Sequence, residues 1–285
     1  MNSSRARILI AIGLATPWLA GAQTSPLWRS VDFSRQLRDT APQRVRVQYN
    51  AGRVDVRGTD DPLLYSMHLR YDESRTAPLH SYDADQRSTI LGLEARGDMQ
   101  RTPSNAESGE LRLTLPRAVP LDLDMAFGGT ESRLDLGEMS LQSVRLKCGA
   151  ADATLLFSRL NRVHMRELEV SVGAADFTAM HLANANTDQI RVQGGIGDVD
   201  LDFSGTWARD LTVVAQLAVG KLTLRLPPDV GVRLDVERVF TSFDHAGLVK
   251  RADSWYSVNY DQAPHKLHIR AQTVLGMIDV QQTTR

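Results

Sequence analysis

From about Leu121 to the C-terminus the chain repeats a tight turn at a steady interval. Gly128-Gly129-Thr130, Gly149-Ala150-Ala151-Asp152, Gly173-Ala174-Ala175-Asp176, Gly195-Ile196-Gly197-Asp198 and Ala218-Val219-Gly220-Lys221 end at positions 130, 152, 176, 198 and 221, with spacings of 22, 24, 22 and 23. A period of this size marks a stacked architecture, in which one unit buries its apolar row only against its neighbours. Apolar residues alternate with polar ones on both sides of each turn. Val144/Leu146/Cys148, Leu168/Val170/Val172 and Ile190/Val192 precede turns; Ala153/Leu155/Phe157, Phe177/Ala179 and Val199/Leu201/Phe203 follow them. Period-two alternation gives strands with one buried and one wet face. The expected fold is all-β: a β-solenoid, β-helix-like, with single-strand repeats and coils of about 22 residues. Gly tolerates positive φ at the turns, and Ala keeps stacked turns from colliding. Gly276 holds the corresponding position in the last unit.

Two other architectures compete. Leu141-x-x-Val144-x-Leu146 and Met165-x-x-Leu168-x-Val170 partly match a leucine-rich repeat, but Gly149, Gly173 and Gly195 stand where that pattern wants Asn. A β-sandwich is the other alternative. Residues 23–120 read as a β-rich but irregular capping region, and 121–285 as the regular stack, the two forming one continuous domain 23–285. Within the cap, Val31 to Leu37 reads as a short helix or as cover over the end of the fold, and 72–87 and 97–109 read as polar loops. Residues 244–266 form an insertion between the last two units, which are expected to follow one another in sequence order.

Residues 1–22 have the form of a secretory signal: Arg5 and Arg7, an apolar run from Ile8, and Ala20-Gly21-Ala22 as a cleavage site. The apolar run is short for a bilayer and contains Pro17. An exported protein without a membrane span after cleavage is expected, most simply periplasmic, with a secreted or outer-surface location as alternatives. With 33 Lys and Arg against 34 Asp and Glu the net charge is −1. The Arg residues are scattered, so nothing suggests a nucleic-acid partner. The single Cys148 lies on the apolar side of its strand and reads as a buried structural thiol.

The chemistry-bearing residues assemble no catalytic set, and no cofactor or metal is expected. Asp152, Asp176 and Asp198 fall at equivalent turn positions. Such a ladder could hold Ca²⁺, but Thr130 and Lys221 break it, and hard cations need six or more oxygens. Capping of each Asp's own turn is the preferred reading. Gly194-Gly195-Ile196-Gly197-Asp198 is near a calcium nonapeptide, with its Asp one residue early. His265-x-x-His268 lacks further ligands nearby in sequence. A polysaccharide-acting enzyme needs two carboxylates facing across a sugar; outward Asp200, Asp202, Arg145 and Lys147 are equally well ordinary solvating charges. The insertion carries Trp255, Tyr256 and Tyr260 with Lys250 and Arg251, a hot-spot composition. It is either a recognition element or a cap whose aromatics are buried. Trp207 reads as a surface anchor for a glycan or as a core-edge residue.

The repeated V-x-V-x-x-G-x-G-D-V-x-L rhythm over residues 45–57 and 121–282 resembles the bacterial toast-rack family of exported, adhesin-like domains. Leu226-Pro227-Pro228-Asp229-Val230-Gly231-Val232, with Val274-Leu275-Gly276-Met277-Ile278-Asp279-Val280 at the end, resembles the C-terminal domain of cell-wall-active antibiotic response proteins. The resemblance implies a β-solenoid of the cell envelope with a scaffold, adhesion or stress-linked role, and it supplies no catalytic residues. The function expected is therefore non-enzymatic, with an envelope protein or glycan as partner. A polysaccharide-acting β-helix enzyme and a self-associating structural protein are the alternatives.

Overall fold

The computed structural model describes residues 26–96, 109–150, 152–174 and 176–283. The leader 1–22 and nearly all of the polar excursion 97–109 lie outside them. In chain order the strands are β1 (Trp28–Gln36), β2 (Gln43–Thr59), β3 (Leu63–Asp72), β4 (Thr76–Asp83), β5 (Ser88–Ala95) and β6 (Glu110–Pro116). Then come β7 (Pro120–Asp135), β8 (Ser140–Cys148), β9 (Asp152–Leu156), β10 (Glu167–Ala174), β11 (Phe177–Met180) and β12 (Gln189–Asp202). The last are β13 (Leu211–Leu226), β14 (Gly231–His245), β15 (Leu248–Arg251), β16 (Ser254–Ser257) and β17 (Lys266–Gln282). A single 3-10 turn, Leu182–Ala185, is the one helical element among the described residues. The fold is all-β, and six parallel strands close a barrel-like core.

The parallel rows follow the repeat. Val144 of β8 pairs with Leu168 of β10, Leu168 with Ile190 of β12, and Ile190 with Val213 of β13, each step advancing by one repeat along the chain. The column continues through Ile269 and Leu234. All six side chains are almost completely buried. At roughly 1.5–3 kcal/mol for each fully buried aliphatic side chain, such columns drive the stacking. The ladder also pairs the backbone polar groups that burial would otherwise strand.

Several placements differ from expectation. The last strand does not follow the preceding unit. β17 lies between β13 and β14, pairing in parallel with both: Val213 with Ile269, and Leu234 with Ile269. The chain thus completes β14, β15 and β16 before it supplies the partner of β13, and no local pattern encodes that detour. Val31 to Leu37 is neither a helix nor a loose cover. Residues 28–36 form β1, antiparallel to β3, with Val31, Phe33 and Arg35 half-buried in alternation. The expected loop 72–87 contains β4, which pairs antiparallel with β5. Pro78 is tolerated because β4 is an edge strand. β2 stacks directly on β7, Val45 opposite Leu123, with β5 and β6 on its other side.

The side of the stack away from the glycine turns is held by asparagines. Buried Asn161 accepts a hydrogen bond from the Leu141 amide (2.9 Å) and donates to the carbonyls of Leu141 (2.9 Å) and Val163 (2.7 Å). One row on, Asn184 donates to the Phe157 carbonyl and accepts from the Thr206 amide. The asparagines that a leucine-rich pattern wants where Gly149, Gly173 and Gly195 stand are found on the opposite side, at Asn161 and Asn184, one repeat apart.

At the corner, Gly197, Gly220 and Gly276 stack in register at φ near +135°. A Cβ on Gly220 would lie 1.8 Å from the Gly197 carbonyl oxygen. Gly129, by contrast, meets only the Ala150 oxygen at 3.6 Å. Gly220→Ala is expected to destabilise by on the order of 3 kcal/mol. Gly129→Ala should be neutral or stabilising by up to about 1 kcal/mol. Urea unfolding of both variants checks the contrast.

Candidate binding surface at one corner and one end of the stack

The corner has two regions. Gly128, Gly149, Gly173 and Gly195 lie one above another, and a Cβ on Gly173 or Gly195 would meet the carbonyl oxygen of the glycine below at 2.7 or 2.5 Å. Removing the side chains leaves an open groove of about 580 Å³, whose walls include Phe127, Lys147, Ser171 and Gln193. Past Gly195 the corner turns apolar. Ile196 pairs with Val219, Val219 with Leu275, and Leu275 with Phe240. Ile196 is 61% exposed, Leu275 51% and Phe240 76%. These side chains point into solvent, so large residues fit the turn without pushing the rows apart. Gln216 and Gln272, bonded to each other at 2.8 Å, border the ridge.

The turn carboxylates act between rows. Asp176 accepts from the Asp198 amide, and Asp198 from the Lys221 amide, each at 3.1 Å. This corrects the reading that each Asp caps its own turn. The register also places Glu131, not Thr130, opposite Asp152. No group of three or more potential ligands for a metal occurs among the described residues. The outward charges have partners of their own. Arg225 grips Asp200 (2.6 Å), Lys221 holds Asp279 (2.8 Å), and Arg145 bridges Glu167 and Glu169. Asp202, expected to face outward, is instead buried at 9% exposure and accepts from the Ser204 amide and hydroxyl. The Lys221 ammonium holds the Asp279 carboxyl below the usual carboxylate range. Burial pushes the Cys148 thiol up to about 11.

Within 244–266, β14 runs on to His245, and β15 and β16 form a hairpin on its outer side, with Leu234 opposite Trp255 and Arg233 opposite Tyr256. Neighbouring residues of a strand face opposite ways, so the two aromatics part company. Trp255 stacks on His245 (4.0 Å) and meets Phe243 edge-on (5.3 Å) against the core. Tyr256 meets Tyr260 edge-on (4.8 Å), and the Tyr260 hydroxyl bonds His268 Nε2 (2.8 Å). Burial raises the Tyr260 pKa. Trp207 stacks on His265 at 6.5 Å, away from this group, and its buried indole N–H has no partner among the described residues. His265 lies 4.0 Å from Asp210, so the two histidines turn to different neighbours. Trp255→Ala is expected to cost about 2 kcal/mol and Tyr256→Ala less than about 1 kcal/mol, as half-buried and outward positions imply. Equal losses in denaturant unfolding would contradict this division.

The family described as the N-terminal domain of toast_rack matches residues 29–164, and the one described as cell wall-active antibiotics response LiaF, C-terminal, matches residues 178–280. No curated protein matches the chain. Among solved structures, a putative cell adhesion protein from Clostridium sporogenes is 17% identical, with a TM-score of 0.49, over 90% of this chain and all of its own. A putative adhesin from Bacteroides fragilis is 7% identical, with a TM-score of 0.36, over 91% of this chain and 98% of its own. A third, from Parabacteroides distasonis, is 10% identical, with a TM-score of 0.34, over 90% and 98%. The first match runs from β1 to just before β10 and the second from within β11 to within β17, so the chain is similar to a toast_rack N-terminal domain and then to a LiaF-like C-terminal domain along its length.

Proposed function

We propose that the chain is a non-enzymatic, exported protein of the cell envelope. In this reading it is a rigid β-solenoid, one repeat to each coil, that presents its apolar corner to an envelope protein or glycan. The parallel pairing of each row with the equivalent positions of the next repeat supports the solenoid reading. The observation that carries the function is the register-aligned column Ile196, Val219, Leu275 and Phe240, exposed across four rows. Contiguous exposed apolar surface of this kind marks interaction sites. The LiaF-like match supports the envelope address. Among the described residues no helix is long and apolar enough to cross a membrane.

Two observations weigh against the alternatives. Among the described residues, the carboxyl groups held away from their ordinary values, Asp39, Asp72 and Asp279, are all shifted down. A glycosidase acid needs the opposite shift. The open half of β14 carries Glu237, Arg238 and Asp244, and charges on an edge strand oppose pairing with another copy. Site-specific photocrosslinking at position 196 tests the reading, with exposed position 57 as control. Adducts with an envelope component from 196 and none from 57 are expected. No adduct at 196, or release of reducing ends from envelope polysaccharide, would contradict it.

A further inference from the structure

At the end of the stack away from the hairpin, a cavity of about 190 Å³ lies between the end of β1, the start of β2 and the turn after β4. Arg35, Arg38, Gln43, Tyr82 and Arg87 line it, with Asp39. Arg87 donates to both Asp39 oxygens, at 2.7 and 3.2 Å, so those two charges cancel. The Arg35 guanidinium sits 3.7 Å over the Tyr82 ring. Neither Arg35 nor Arg38 has a carboxylate partner among the described residues, which leaves the cavity positive.

Gln43 supplies the independent sign of a ligand. It is 5% exposed; its Nε2 donates to the Ala41 carbonyl, while its Oε1 is buried with no hydrogen-bond partner among the described residues. A buried acceptor left unpaired is unfavourable and calls for a donor. The rim is also strained: Arg87 has φ +50°, uncommon for a residue other than Gly, and its carbonyl accepts from the Arg44 amide at 2.9 Å. The occupant must therefore bring negative charge for guanidinium forks, a hydroxyl donor for an amide oxygen, and the bulk of about one ring.

We propose that this cavity binds a single acidic sugar residue, a pyranose bearing a carboxylate and free hydroxyls. The carboxylate meets Arg35 and Arg38, whose planar forks suit it. A ring hydroxyl donates to Gln43 Oε1 as the amide turns out of its buried position into the cavity. The site is remote from the apolar corner and does not depend on that surface having a partner.

The test is calorimetric titration of the full chain with D-glucuronate, D-glucose, cyclohexanecarboxylate and inorganic phosphate. Glucuronate is expected to bind at least about tenfold more tightly than each of the other three, since each lost charge-assisted or buried hydrogen bond is worth about a factor of ten. Arg38→Gln, at an exposed position, should weaken glucuronate at least about tenfold with an unchanged unfolding midpoint. Gln43→Met should bring glucuronate down to the level of cyclohexanecarboxylate. Equal binding of glucuronate and cyclohexanecarboxylate, or phosphate as the best ligand, would make this a plain anion site and overturn the proposal. Wild-type affinity in Arg38→Gln would overturn it as well.

Discussion

The structure depends on how closely one row of backbone can approach the next at the corner. Gly220 and Gly276 sit so near the carbonyl of the row before that no Cβ fits, and Gly197 shares their positive φ. With that approach, β12, β13 and β17 each run unbroken from one face of the stack to the other, pairing on both sides of the bend. The buried columns then align without gaps. A bulky corner would splay the rows and open both the ladder and the core beneath it. The asparagines at Asn161 and Asn184 do the corresponding work on the opposite side, by bonding rather than by absence of a side chain.

The same corner generates the surface. Where it is lined by glycines it is a groove, and in the adjacent column, where Ile196, Val219, Leu275 and Phe240 stack, it is a ridge. A ridge of this kind costs the fold little, because its side chains point away from the packing that holds the rows together. The hairpin divides two further tasks between adjacent residues: Trp255 closes the end of the core, and Tyr256 joins an outward group with Tyr260 and His268.

Much of the fold was legible because its signals are local. The alternation in Val144-Arg145-Leu146 and the small residues at Gly149 and Gly173 report burial and turn chemistry within a few positions. What stayed hidden is non-local. β17 slips between β13 and β14 because both pairing partners lie far back along the chain, with the hairpin in between, and neither separation leaves a trace in the strand's own pattern. The slip of a single position between Thr130 and Glu131 has the same origin, since register is set by pairing across rows. Asn161 and Asn184 kept the period but sat at the corner where no turn signal drew attention. Of the site, the aromatic composition of the insertion was visible; the split between Trp255 and Tyr256 follows from strand parity only once β16 is known to be a strand. The acidic-sugar cavity depends on β1 and β4, both read as something other than strands.

The most direct measurement is amide hydrogen exchange on β17. An interior row opens only with global unfolding, whereas a last-added edge row frays with far lower protection. Amides from Leu267 to Thr273 are expected to exchange as slowly as those of β12 and β13. Exchange several orders of magnitude faster than in β13, with β14 the better protected of the two, would contradict the central placement of the C-terminal strand and the stack built around it.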